Sequence, residues 1–182
     1  TGGDVGAVRG TAIAAWRGDT WRASDRPCPE VPRPDSLPRN AAPDGKLAWF
    51  ARYDMRSIRG PLPPKWDGGA ASADPQQASL TQLWIRDEPP RPLDFTSLVA
   101  MADGFFPRVW LRRALLVPAG TVSLTVYFHA GPEQLAESGT GFLLAQARGQ
   151  GYRNGFFDQA GQLWNAAGSL LATTHQLVYY KE

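Results

Sequence analysis

Asp94-Phe95-Thr96-Ser97-Leu98-Val99-Ala100-Met101-Ala102-Asp103-Gly104 is the stretch on which the fold turns. The Asp94 carboxylate suits the free N–H groups of a first helical turn, Pro92 stands just before it, and Gly104 suits a helix end. Phe95, Leu98, Val99 and Ala102 recur at helical spacing, so the pattern predicts a helix from Phe95 to Asp103 with those four on one buried face. On either side the pattern changes to strand. Trp49 to Ile58 and Leu80 to Arg86 read as strands joined by a Pro/Gly/Ala/Ser loop around Gly60 to Pro75. Thr121 to His129 alternates, placing Val122, Leu124, Val126 and Phe128 on one face. Phe142 to Arg148, Tyr152 to Phe157, Gln162 to Trp164 and Ser169 to Tyr180 complete the set, with Asn165-Ala166-Ala167-Gly168 as a turn between the last two. One helix followed by consecutive long strands predicts an α+β fold, an antiparallel sheet curled around the helix.

Composition bounds the rest. The chain of 182 residues is 43% hydrophobic and 20% charged, enough for one good core, or one domain and a fragment of another. A formal net charge of +2, with scattered arginines, gives no electrostatic case for nucleic acid or an acidic membrane. Cys28 is the only cysteine, which excludes an internal disulfide and fits a reducing cytoplasm. No apolar run approaches the ~20 residues that span a bilayer. Thr1 to Gly10 lack the basic start and apolar centre of a signal peptide, and lack an initiator Met. The chain is therefore expected to begin inside a larger gene product, or to have lost its start.

Three zones separate. Val8 to Arg22 reads as a single strand whose partners must lie elsewhere, since a lone strand leaves its backbone donors and acceptors unpaired. Residues 23–46 are proline-rich and read as an extended linker. Residues 47–182 carry the compact unit.

The candidate chemistry is sparse. Asp103 continues the edge of the helix defined by Phe95 and Val99, and sits in the last turn, where the helix dipole opposes negative charge. Such a carboxylate is either a functional group or a solvent-facing residue at a helix end. Thr121 opens the most regular strand, where its hydroxyl either positions a water or caps the preceding turn. Gln176 lies within the last strand, and a buried glutamine needs partners in a structural network or a bound water. His129 and His175 stand near no serine or cysteine in a nucleophile motif, and Cys28 lies in the proline-rich zone. The absence of G-x-S-x-G argues against a serine esterase of the α/β-hydrolase type. No metal-ligand spacing and no phosphate-binding glycine loop occur.

Four segments in order nevertheless resemble the acyl-CoA thioesterase II, or TesB-like, family. They are Leu83-Trp84-Ile85-Arg86, Met101-Ala102-Asp103-Gly104-Phe105-Phe106-Pro107, Thr121 to His129, and Leu163-Trp164-Asn165-Ala166-Ala167-Gly168-Ser169 through Gln176. The resemblance implies a hotdog fold, a sheet wrapped around a central helix, and the second half of a double hotdog. It implies that residues 1–22 end a mostly missing first hotdog and that residues 47–182 form the thioesterase domain. It further implies hydrolysis of acyl-CoA by a water that Asp103, Thr121 and Gln176 hold jointly, with no cofactor and no metal. A cytoplasmic enzyme, with an oligomer or the missing hotdog as partner, follows from the same resemblance.

A non-catalytic hotdog that binds acyl groups or serves assembly is the alternative. A hydratase on this fold is disfavoured, because Gly104-Phe105-Phe106-Pro107-Arg108 supplies no histidine after Asp103. Arg108, Arg112 and Arg113 are read as a solvated rim or as contacts to CoA phosphates. Phe105, Phe106 and Trp110 are read as core or subunit contact.

Overall fold

Strand β1 (Tyr53–Arg59) and strand β2 (Thr81–Asp87) form an antiparallel pair, and helix α1 (Phe95–Ala102) follows. The computed structural model describes residues 9–41, 48–69, 74 and 77–182. Helix α2 (Arg108–Arg113), strand β3 (Ala119–Phe128) and helix α3 (Pro132–Ser138) come next. Strands β4 (Leu143–Arg153), β5 (Phe156–Trp164) and β6 (Leu170–Tyr180) close the chain. The strands make one six-stranded sheet in the order β1-β2-β4-β5-β6-β3, with every neighbouring pair antiparallel. Helix α1 packs on one face of this sheet, giving the α+β hotdog arrangement.

Asp94 caps α1 as expected: its Oδ1 accepts from the Ser97 N–H at 2.7 Å. The buried face of the helix is different from the expected one. Leu98 and Ala102 are fully buried, joined by Met101 and Ser97, while Phe95 and Val99 are 42% and 39% exposed. The sheet covers the Leu98–Met101–Ala102 side, so the Phe95–Val99 edge points along the surface, where Phe95 meets the Phe128 ring edge-on. Full burial of Leu98 contributes about 1.5–3 kcal/mol. Its cluster includes Leu83, Ile85, Leu143, Ala145, Leu163 and Leu171.

Other boundaries shift for local reasons. Ala48–Arg52 forms a 3-10 helix, so the strand expected from Trp49 begins at Tyr53. The expected break between Arg148 and Tyr152 does not occur: β4 runs on to Arg153. The chain reverses instead at Asn154-Gly155, with φ of 53° and 74°, the left-handed conformation that two-residue hairpins require. Gln162 to Trp164 is accordingly the end of a continuous β5.

The opposite face of the sheet carries a second apolar cluster, Trp84, Phe142, Leu144 and Trp164. Part of the proline-rich segment packs over it through Cys28, Val31 and Leu37. The Trp84 indole N–H donates to the Pro32 carbonyl at 2.8 Å and the Trp164 indole to the Arg26 carbonyl at 3.1 Å. Proline leaves carbonyls without competing donors, which makes this segment a good acceptor strip for the two indoles. Residues 9–22 carry no strand ladder, and Ile13, Trp16 and Trp21 stand exposed. Residues 1–8 and 42–47 of the expected strand, linker and domain boundary lie outside the described residues.

Candidate active site

A break in the regularity of β3 brings the candidate residues together. Thr121 pairs with Val178 and Ser123 pairs with Leu177, so Val122 is an extra, bulged residue. Without the bulge, Thr121 would face away from Leu124, Val126 and Phe128. With it, Thr121 shares a face with Leu124, opposite Val178 and Gln176 on β6. Val122 is consequently 56% exposed rather than part of the apolar face.

Asp103 is the C-cap of α1, its N–H directed at the Ala100 carbonyl at 3.3 Å. The next residue must be small. A Cβ at Gly104 would lie 3.0 Å from both Ile85 Cδ1 and the Met101 carbonyl. This close approach turns the chain sharply against β2 and leaves the Asp103 side chain facing β6. Gln176, buried on β6, reaches both of the others: its Nε2 donates to Asp103 Oδ1 at 2.7 Å and to Thr121 Oγ1 at 2.6 Å. These three residues, far apart in the chain, therefore form one hydrogen-bonded constellation.

They line a cleft of about 280 Å³ walled by Trp49, Phe105, Phe106, Trp110 and Phe157. The Asp103 side chain is partly open to solvent, yet the shielded side of its carboxylate raises its pKa above the ordinary value. The Gln176 amide opposes that rise. A carboxylate so placed is a better proton acceptor than one in water, beside a hydroxyl whose own proton is free.

Gln159 belongs to this group and was missed in the sequence. It is buried on β5 directly opposite Gln176, lines the cleft, and donates from Nε2 to Gln176 Oε1 at 2.7 Å. The alternation Phe157, Gln159, Gly161, Leu163 carries the signal, since it puts a glutamine among inward-facing positions.

The other candidates lie apart. His129 Nε2 meets Thr173 Oγ1 at 3.0 Å, and His175 Nε2 meets Asp158 Oδ2 at 3.2 Å, neither in the cleft. Cys28, within the proline-rich segment, packs on the Trp84 cluster, where burial raises its thiol pKa and disfavours the thiolate. Arg108 is fully buried, which removes it from a solvated rim. Its guanidinium donates to the Ser79 and Phe106 carbonyls and to Thr81 Oγ1. Burial pushes its pKa down to about 10. Arg113 pairs with Glu182, and Arg112 is half-buried. Phe105, Phe106 and Trp110 are core residues that also face the cleft.

Among the described residues, no cluster of three or more His, Cys, Asp or Glu is placed to hold a metal, and no helix is long and apolar enough to cross a membrane.

Comparison with known proteins bears on this geometry. A protein of unknown function with a hotdog fold from Alicyclobacillus acidocaldarius is 42% identical, with a TM-score of 0.80, covering 91% of this chain and 59% of that one. The acyl-CoA thioesterase II TesB2 from Mycobacterium marinum is 19% identical, with a TM-score of 0.65, covering 90% of this chain and 59% of its own. A tesB protein from Mycobacterium avium subspecies paratuberculosis is also 19% identical, with a TM-score of 0.62, over 88% and 56%. This chain thus spans somewhat more than half the length of these structures. No curated protein matches it. The sequence profile of the acyl-CoA thioesterase C-terminal domain matches residues 27–180. The chain therefore belongs to the acyl-CoA thioesterase C-terminal domain family, as a TesB-like C-terminal half with the hotdog fold.

Proposed function

We propose that this chain is the catalytic half of an acyl-CoA thioesterase that hydrolyses acyl-CoA to a free acid and CoA. The observation that carries the reading is the meeting of Asp103, Thr121 and Gln176 through one amide group at an aromatic-walled cleft. A thioester carbonyl is electrophilic enough for direct attack by an activated water, and the reading needs no covalent intermediate.

The hydrogen-bond inventory assigns the roles. Both N–H bonds of the Gln176 amide are committed, one to Asp103 and one to Thr121. Thr121 Oγ1 accepts from that amide, so its own O–H remains to donate to a water. The second oxygen of Asp103 remains to accept a proton from the same water. The water is thereby oriented with a lone pair toward the carbonyl, Asp103 takes its proton, and the tetrahedral intermediate collapses by breaking the C–S bond. The departing CoA thiolate takes up the proton that Asp103 accepted, which restores the carboxylate. The aromatic wall gives the acyl group an apolar seat.

The reading includes a partner. Among the described residues β3 has no strand partner on its outer edge and the Phe95–Val99 edge of α1 is exposed, and a second hotdog, from a longer protein or another subunit, would cover both. Residues 9–22, exposed here, would then belong to a strand in that second sheet. A cytoplasmic place in fatty-acid metabolism completes the proposal.

The test is release of free thiol from short, medium and long acyl-CoA esters by the parent and by Asp103→Asn. Turnover lost in a folded Asp103→Asn supports the reading; turnover retained removes Asp103 as the base. Tight acyl-CoA binding without thiol release, even with the upstream sequence restored, would mark a binding module instead.

A further inference from the structure

Gln176 cannot aim itself. Its amide has a nitrogen end that only donates and an oxygen end that only accepts, and the two ends are nearly equal in shape. A carboxylate at Asp103 accepts only, so catalysis of the kind proposed above needs the nitrogen end of Gln176 toward Asp103 and Thr121. The oxygen end must then face β5, where it is buried and needs a donor. Gln159 stands directly across the ladder, itself only 2% exposed, and supplies that donor from Nε2 at 2.7 Å.

We infer that Gln159 is a positioning residue for the water-activating group, holding the Gln176 amide in the one orientation that serves both Asp103 and Thr121. The inference rests on the thioesterase reading for its effect on turnover, but not for its effect on geometry. The same-length Gln159→Glu makes the logic explicit. Buried at this place, the carboxyl donates its O–H to Gln176 Oε1 while neutral; once ionised at higher pH it only accepts, competes for the nitrogen end of Gln176 and turns the oxygen end toward Asp103. A hydrophobic Gln159→Leu leaves the Gln176 oxygen buried without a donor, so the side chain leaves its place.

Two readouts on the full chain test this. The first is the titration of the Asp103 carboxyl followed by carbon-13 NMR. Losing the amide donor raises the Asp103 pKa in Gln159→Leu, in Gln176→Ala, and no further in the double variant. The second is kcat and KM for the acyl-CoA ester that the parent turns over fastest. Here kcat falls about tenfold in Gln159→Leu with KM within about twofold, since one neutral hydrogen bond is removed behind the reacting group. Relative to the parent at each pH, Gln159→Glu keeps its kcat while the new carboxyl is neutral and loses it as pH rises through that ionisation, which packing volume alone would not give. A folded Gln159→Leu with parental Asp103 titration and parental kcat overturns the inference, and if Gln159→Leu does not fold, the same parental values in Gln159→Met do so. Full turnover in Asp103→Asn and Gln176→Ala would instead remove the water-holding roles on which the kinetic arm rests, while the NMR titration would still decide whether Gln159 orients Gln176.

Discussion

Thr121→Val isolates one hydroxyl from everything else at its position. Valine keeps the β-branched shape, the strand preference and nearly the volume of threonine, so the bulge at Val122 and the pairing with Val178 should persist. Two interactions disappear: the acceptor for the second Gln176 N–H, now at 2.6 Å, and the donor to the attacking water. The first costs little, because the cleft is open and a solvent molecule takes the freed amide hydrogen. A net loss of about 0.5 kcal/mol corresponds to a Tm change of roughly 1–2 °C for a chain of this size. The second acts on an oxygen that becomes hydroxide-like as Asp103 takes its proton, and a hydrogen bond to such a group is worth about 1.5–3 kcal/mol. At about 1.36 kcal/mol per tenfold, kcat should fall roughly ten- to 150-fold. Thiol release under saturating acyl-CoA, beside a thermal melt, separates the two. An unchanged melt with kcat within about twofold of the parent would refute the role given to the Thr121 hydroxyl.

Asp103→Asn should raise Tm at neutral pH while it abolishes turnover. The folded-state pKa of Asp103 lies above its unfolded value, so its ionisation opposes folding as pH rises through that window. The gain should vanish in melts taken below the ordinary aspartate range, where both forms are neutral. Asp54→Asn should destabilise the fold by about 3 kcal/mol in urea titrations, because the buried carboxylate lies 3.0 Å from Arg56 and 3.1 Å from Arg86. Burial pushes the Asp54 pKa up, but the hydrogen bonds and charges of the two arginines outweigh it and hold it below the ordinary value. Its stabilisation is therefore full above the unfolded aspartate pKa and lost as pH falls through the folded one, and Asp54→Asn should flatten that acid limb. Gly155→Ala should cost about 1–2 kcal/mol in the same titration, since φ is 74° and the new Cβ would lie 3.0 Å from the Tyr180 carbonyl.

The features legible in the sequence are those fixed by neighbours along the chain. Asp94 announced the start of α1 because a cap is a contact over three residues. The hairpin at Asn165 to Gly168 was visible for the same reason, with the Gly168 N–H bonded to the Asn165 carbonyl at 3.0 Å. Two local signals were nonetheless passed over. Asn154-Gly155 is a strong hairpin dipeptide, but Gly149-Gln150-Gly151 drew the strand break upstream. Pro132 with Gln134, whose Oε1 accepts from the Gly131 N–H at 2.9 Å, marks the start of α3. What depends on distant chain was not legible. Periodicity could not say which side of α1 the sheet would cover, so Phe95 and Val99 were placed in the core. Composition could not show that the carbonyls of Ser79 and Phe106 would satisfy a buried Arg108. The candidate site stood in between. Asp103, Thr121 and Gln176 were each ambiguous as single residues, and only the ordered resemblance to a family singled them out together. Gln159 had no such support: the alternation along β5 turns it inward, but its partner is set only by the pairing of β5 with β6.

The position of the cleft follows from a mismatch of lengths. Helix α1 has eight residues and spans about 12 Å, whereas β6 has eleven and extends about 36 Å. A helix this short cannot cover the inner face of such a sheet. Where it does cover, the facing residues are apolar: Leu163, Leu171 and Ala172. Toward the far ends of β5 and β6, Phe157, Val178 and Tyr180 pack instead with Val109 of α2. Between these two apolar clusters lie Gln159 and Gln176, at the point where α1 has ended and α2 has not begun. The two amides sit on the inner face here because the helical cover is interrupted and each finds a partner. The interruption is the Asp103-Gly104 turn itself, so the residue that ends the helix is also the one that supplies the missing acceptor. Lengthening α1 by a turn would fill the cleft and strand both glutamines; shortening it would move Asp103 out of reach of Gln176. The bulge at Val122 completes the same geometry from the sheet side, since it alone turns Thr121 inward. Helix length, helix cap and bulge are thus fixed jointly by the requirement that one amide meet a carboxylate and a hydroxyl at once.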